Sequence, residues 1–163
     1  MSREIKSVAV IGGGTMGTGI AGLCAQRGHK VLLLDVSEEA VEKARERILN
    51  GRPPAVDEPE KADNITFGTI DADLAQIANY DWICEAVIED LETKRALFEK
   101  MEPLRREGSV ISTNTSGIPL RDVTEGLPDS LRRDIAVTHF FNPVKIMRLM
   151  ELVPGEDTTP DVI

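Results

Sequence analysis

Apolar and polar residues alternate along this chain in blocks whose lengths separate strands from helices. The first block, residues 7–11 (SVAVI), has the length and continuity of a strand buried on both faces. After it, Met16, Ile20, Leu23 and Cys24 recur at helical spacing, and Gly28 is placed to end that helix in a left-handed cap before a strand opening at Lys30. A second apolar run, residues 31–34, ends in Asp35. Ser37 is then an N-cap candidate, Glu38 and Glu39 suit a helix N-terminus, and Val41, Ala44, Ile48 and Leu49 draw one apolar stripe up to Gly51.

Residues 51–63 (GRPPAVDEPEKAD) combine three prolines with charge and read as an exposed connection. Beyond them, Ile65 and Phe67 predict a short strand and Leu74, Ile77 and Ala78 a short helix. Residues 82–87 predict a strand; Asp90 would cap a helix whose Leu97, Phe98 and Met101 face inward, with Pro103 limiting it. Further strand candidates are 109–113, 135–140 and 149–153, with a helical segment near 119–124 and turn residues Gly126, Pro128 and Asp129 between them. Strands and helices alternate through short connections, which predicts an α/β fold: one doubly wound, mostly parallel sheet with helices on both faces.

The first strand-to-helix turn adds chemistry to this pattern. Gly12, Gly14 and Gly17 fit G-x-G-x-x-G, in which the first glycine permits a tight turn, the second lets a pyrophosphate approach the backbone and the third lets helix and strand pack closely. Thr15 and Met16 fall between them, at what would be a helix N-terminus. Asp35 follows at about the 20-residue distance where a carboxylate would hold the ribose hydroxyls of a dinucleotide.

Composition narrows the classes. A chain of 163 residues suits one domain. A net charge of -9 opposes a nucleic-acid surface, which needs clustered Lys and Arg. No apolar run approaches the roughly 18 residues of a membrane span, and MSREIK leads into the first strand without a signal-peptide pattern, so a cytoplasmic location is expected. Cys24 and Cys84 lie on apolar stretches and read as small buried hydrophobes; with two histidines and no C-x-x-C, neither metal nor disulfide is expected.

In open α/β sheets ligands sit beyond the carboxyl ends of the strands. The polar residues ending apolar runs are Asp35, Glu89, Asn114, Ser116, His139 and Asn142. If residues 140–150 fold back, His139 and Glu151 come side by side, and a carboxylate beside an imidazole fixes its tautomer and stabilises its charged form, as a general base requires. A satisfied structural histidine fits the same spacing. Glu85, inside an apolar run, calls for a structural partner.

Four segments carry a resemblance: GGGTMGTGIA from Gly12, EAVIED from Glu85, STNTSG from Ser112 and HFFNPVKIMRLME from His139. Their order and spacing over nearly the whole chain resemble the L-3-hydroxyacyl-CoA dehydrogenases, a family that includes 3-hydroxybutyryl-CoA dehydrogenases. NTSGIP and KIMRLMELVPG are most similar to the branch fused to an enoyl-CoA hydratase. The resemblance implies a Rossmann-type NAD-binding domain over residues 1–163 and NAD-dependent interconversion of L-3-hydroxyacyl-CoA and 3-ketoacyl-CoA, in fatty-acid oxidation or butanoate metabolism. It implies His139 as general base, Glu151 as its orienting partner and Ser116 as a hydrogen-bond donor to the reacting oxygen. Gly12, Gly14, Thr15, Met16, Gly17, Asp35, Glu89, Lys94, Asn114 and Asn142 would bind or line the cofactor. Plainer roles remain open: an N-cap for Ser116, a solvated helix charge for Lys94, a turn residue for Asn142.

Lys145 stands where many members of that family carry proline or a small apolar residue, and Arg148 adds charge nearby. The family's carboxyl-terminal helical domain, with a catalytic asparagine, much of the acyl wall and the contact of a homo-oligomer, has no counterpart in these residues. Thr159-Pro160-Asp161 has the composition of a helix start, so a further element is expected there. Two other readings stay open: a cofactor-binding or assembly module without turnover, and a β-hydroxyacid dehydrogenase that does not use CoA.

Overall fold

A computed structural model describes residues 2–163. Seven strands form one sheet in the order β3-β2-β1-β4-β5-β6-β7. They are β1 (Ser7–Ile11), β2 (Lys30–Asp35), β3 (Ile65–Thr69), β4 (Trp82–Glu85), β5 (Val110–Thr113), β6 (Ile135–Phe140) and β7 (Met150–Pro154). The first six run parallel and β7 returns antiparallel to β6. The order reverses between β1 and β4, and a crevice opens outside the strand ends at such a switch point.

Helix α1 (Thr15–Gln26) and α2 (Glu38–Asn50) cover one face of β1–β3, burying Ile20, Ala21, Cys24, Ala44 and Ile48 against Val8, Val10, Val31 and Leu33. The opposite face is covered by α3 (Ile70–Asp73), the 3-10 turn Leu74–Asn79, α4 (Leu91–Met101), α5 (Leu120–Thr124) and α6 (Asp129–Asp134). Phe98, Met101, Val123 and Leu131 pack there on Ile11, Ile83, Ile111 and Ile135. Ser37 caps α2 by accepting from the Ala40 amide, and Asp90 caps α4 by accepting from the Thr93 amide, as their positions predict.

The structure refines four expectations. Helix α1 ends at Gln26, and Gly28, with φ +88°, turns the chain toward β2. The 51–63 connection is seated as well as exposed: Val56 is buried, Pro59–Asn64 forms a 3-10 turn, and Ala55 lies where a Cβ on Gly22 would be 2.4 Å from it. Residues 160–162 form a turn; the Val162 amide bonds the Thr159 carbonyl, and Asp161 pairs with Arg3 at 2.7 Å. Helices cover both faces only as far as β4. On the α1 side, β5–β7 stay open, and Trp82, Val110, Thr138, Phe140, Met150 and Leu152 line an apolar groove of about 440 Å³.

Both cysteines are free and buried, and burial pushes their thiols up to about 12, far from thiolate chemistry. Among the described residues no group of acidic, histidine or cysteine side chains could hold a metal, and no helix is long and apolar enough to cross a membrane.

Candidate active site

The glycine turn closes because two of its positions exclude a side chain. Gly12 has φ +110°, and a Cβ there would stand 2.5 Å from the Ala86 carbonyl oxygen. A Cβ on Gly17 would stand 1.7 Å from the Gly12 carbonyl oxygen, so helix and turn meet backbone to backbone. Around Gly14, by contrast, nothing lies within 4 Å of the Cβ position, leaving open space at the mouth of α1. Gly14 offers no side-chain cap, and the first turn of α1 has no acidic residue, so its amides and the positive end of its dipole are left for an anion.

Asp35, half-buried at the end of β2, accepts from the Gly13 amide at 2.9 Å and from the Val36 amide at 2.7 Å. Each carboxylate oxygen is thereby fixed and keeps a lone pair for a ligand. Gly12, Gly14, Thr15, Met16, Asp35, Val36, Ile88, Glu89 and Asn114 line the crevice at the switch point, a cleft of about 900 Å³. Its volume, anion-ready helix end and paired acidic anchor fit a dinucleotide.

The second cluster lies at the same end of the sheet. Ile11, Glu85, Thr113 and Val137 are aligned across the strands, and His139 follows two residues beyond Val137. β6 and β7 pair with His139 opposite Glu151, and the imidazole Nδ1 lies 3.0 Å from Glu151 Oε2. With the Nδ1 proton given to the carboxylate, Nε2 carries the free lone pair. The Phe141 ring packs at 4.6 Å from the imidazole centroid. His139 is 21% exposed and Glu151 56%, so this pair sits in a shallow, wet position.

Asn114 joins the two clusters. Its amide donates to the Glu85 carbonyl, while its side-chain Oδ1 accepts from the Phe140 amide at 3.0 Å, tying the end of β5 to the residue after His139. Ser116 is exposed in the next loop and does not cap it; Thr115 does, accepting from the Ile118 amide and donating to Glu89. Asn142 is exposed, precedes a cis proline and lines a side cleft of about 250 Å³. That cleft shares Thr15 with the large one and is lined by Arg47, Arg52 and Lys145. Lys145 pairs with Asp57 at 2.6 Å across its rim, and Arg47 donates to the Gly13 carbonyl.

Lys94 departs from expectation. It neither lines the cleft nor meets solvent: it is 1% exposed beneath the crevice floor, 2.7 Å from the fully buried Glu85. Periodicity carried the signal, because 94, 97, 98 and 101 share one face of α4. Glu85, expected to need a structural partner, has found it.

Comparison with known proteins agrees over the same span. Residues 7–163 match the family described as 3-hydroxyacyl-CoA dehydrogenase, NAD binding domain. The 3-hydroxyadipyl-CoA dehydrogenase of Escherichia coli is 36% identical over 172 residues, covering 100% of this chain and 35% of that protein. The crystal structure of 3-hydroxybutyryl-CoA dehydrogenase from Escherichia coli superposes with a TM-score of 0.86 at 35% identity, covering 98% of this chain and 34% of that one. The dehydrogenase part of a Caenorhabditis elegans multifunctional enzyme gives 0.78 at 32% identity, covering 98% and 37%. The chain spans between 22% and 56% of the length of the curated relatives it matches.

Proposed function

Because the chain belongs to the 3-hydroxyacyl-CoA dehydrogenase family through its NAD-binding domain, we propose that it supplies the cofactor cleft and the general base of an enzyme interconverting L-3-hydroxyacyl-CoA and 3-ketoacyl-CoA. The observation that carries this reading is the in-register His139–Glu151 pair, 3.0 Å apart at the same end of the sheet as the glycine turn. Held at the glycine turn and by Asp35, NAD would supply the acceptor for the hydride leaving C3 of the substrate. His139 Nε2 takes the proton of the 3-hydroxyl, and Glu151 holds the ring and stabilises the charge that results. Ser116, exposed beyond β5, donates to the reacting oxygen. Asn114, Asn142 and Glu89 border the nicotinamide side, and Asp35 holds the adenosine ribose and repels a 2'-phosphate, favouring NAD over NADP.

The acidic chain total raises the question of where a polyanionic CoA is held. Arg47, Arg52 and Lys145 in the side cleft are suitably placed, one shared residue away from the dinucleotide. Calorimetric titration of the chain with NAD tests the cofactor half of the reading; no heat from folded protein at millimolar NAD would overturn it. Oxidation of a 3-hydroxyacyl-CoA by the active enzyme, with no turnover of the free 3-hydroxy acid, tests the substrate half.

A further inference from the structure

Two loops meet at the wall of the large cleft, and one buried hydroxyl joins them. The first runs from the end of β4 to Asp90, the cap of α4, and carries Glu89 into the cleft lining. The second leaves β5 at Asn114 and exposes Ser116 and Gly117 before Ile118 packs back on the core. Thr115, 3% exposed, stands between them. Its hydroxyl accepts from the Ile118 amide at 3.0 Å, which closes the second loop behind Ser116, and gives its one proton to Glu89 Oε1.

The backbone supplies a separate tie between the same loops, from the Asn114 amide to the Glu85 carbonyl at 2.8 Å. That bond fixes where the second loop starts. It reaches neither the Glu89 carboxylate nor the loop tip, where nothing lies within 4 Å of a Cβ position on Gly117. Among the described residues Thr115 is the one side-chain partner of the Glu89 carboxylate, and Oε2 stays open to a ligand. An exposed glutamate and a tip without neighbours both lose freedom when a ligand fixes them. A hydroxyl bonded to both lets the ligand that orders one group spare part of that cost at the other.

We propose that Thr115 is a positioning residue that couples the two ligands: its hydroxyl ties Glu89 on the cofactor side to the turn carrying Ser116 on the substrate side, so that bound NAD strengthens the hold on the acyl-CoA. The proposal rests on the roles given to Glu89 and Ser116 under the proposed function. The bridge itself rests on the two hydrogen bonds of one buried hydroxyl.

The test is calorimetric titration of the active enzyme with a 3-ketoacyl-CoA, with and without saturating NAD, a pair that cannot exchange hydride. The ratio of the two dissociation constants is the coupling, and a residue that merely holds the fold leaves it unchanged. Wild type is expected to bind the thioester ~5-fold or more tightly with NAD present. Thr115→Val, which keeps the shape and removes the hydroxyl, should bring the ratio to within about twofold of unity, and Thr115→Ser should restore it. A wild-type ratio in Thr115→Val overturns the proposal. So does a folded Thr115→Ser as uncoupled as Thr115→Val, which would assign the effect to the methyl group. If Thr115→Val does not fold, Glu89→Ala decides, because it breaks the bridge at an exposed residue and leaves the Ile118 bond in place. Lost coupling there supports the proposal, and a wild-type ratio overturns it. Wild type that binds NAD but holds the thioester equally with and without it overturns the coupling alone; wild type that binds no NAD overturns the cofactor reading as well.

Discussion

The cofactor cleft and the His139–Glu151 pair occupy the same end of one sheet, yet they are built in opposite ways. The cleft is made of backbone at the centre of the sheet: glycines that leave no room for a Cβ, amides at a helix end, and an Asp35 fixed by two amides. The pair is made of side chains on the hairpin at the sheet's edge, where all five residues of β7 are exposed. Specificity for a dinucleotide thus comes from packing that tolerates almost no change. The proposed proton-transfer group, His139, takes its orientation from one carboxylate and one ring.

The largest effect that would sharpen this contrast is His139→Gln in the active enzyme: turnover should fall ~100 to 10,000-fold while NAD affinity by calorimetry stays within twofold. A joint loss of both would erase the division. Gly17→Ala attacks the other side. A Cβ 1.7 Å from a backbone oxygen forces turn and helix apart, at a cost of ~3 kcal/mol or more, so NAD binding should drop ~100-fold or more and the melting temperature should fall with it. Glu151→Gln keeps the shape but removes the charge opposite the imidazole. A hydrogen bond to a charged partner is worth ~1.5 to 3 kcal/mol, so turnover should fall ~10 to 100-fold with no change in melting temperature.

A control lies at the far end of the strands. Burial pushes the Asp81 carboxyl up, but the Lys6 amide, the Arg106 guanidinium and the hydroxyl and amide of Ser7 together hold it down at about 2. A carboxyl lowered on folding stabilises above its unfolded value near ~4 and loses that contribution as pH falls toward the folded value. The protein should therefore lose about 2 kcal/mol from this group between pH 4 and pH 2, and Asp81→Asn should flatten that part of the unfolding profile without touching NAD affinity. The smallest effect concerns the side cleft. Arg52→Glu should raise KM for a CoA thioester ~2 to 5-fold, as expected of an exposed charge contact, and leave KM unchanged for a thioester truncated before the phosphates.

Sequence patterning revealed the two regions unequally. The centre of the sheet was legible because glycine spacing and buried apolar runs are local, and the His139–Glu151 pair was legible because a twelve-residue return brings both to one register. Long-range contacts were not. Thr115 reaching Glu89, Asn114 holding Phe140, and Ala55 filling the gap at Gly22 each join residues far apart in the chain. Lys94 shows the limit most clearly: its position on an apolar stripe and the lone acid in β4 were both visible, but only folding brings them within 2.7 Å.

The open face behind β5–β7 has an optical consequence. Trp82 is the chain's one tryptophan, and it lies in that groove with its indole N–H on the Ser112 hydroxyl at 2.8 Å and its ring 6.4 Å from that of Phe140. It stands at the start of β4, the far end of the strand from the dinucleotide. Its emission wavelength is consequently a built-in gauge of whether water or protein lies against that face, and it can be read without disturbing the cleft.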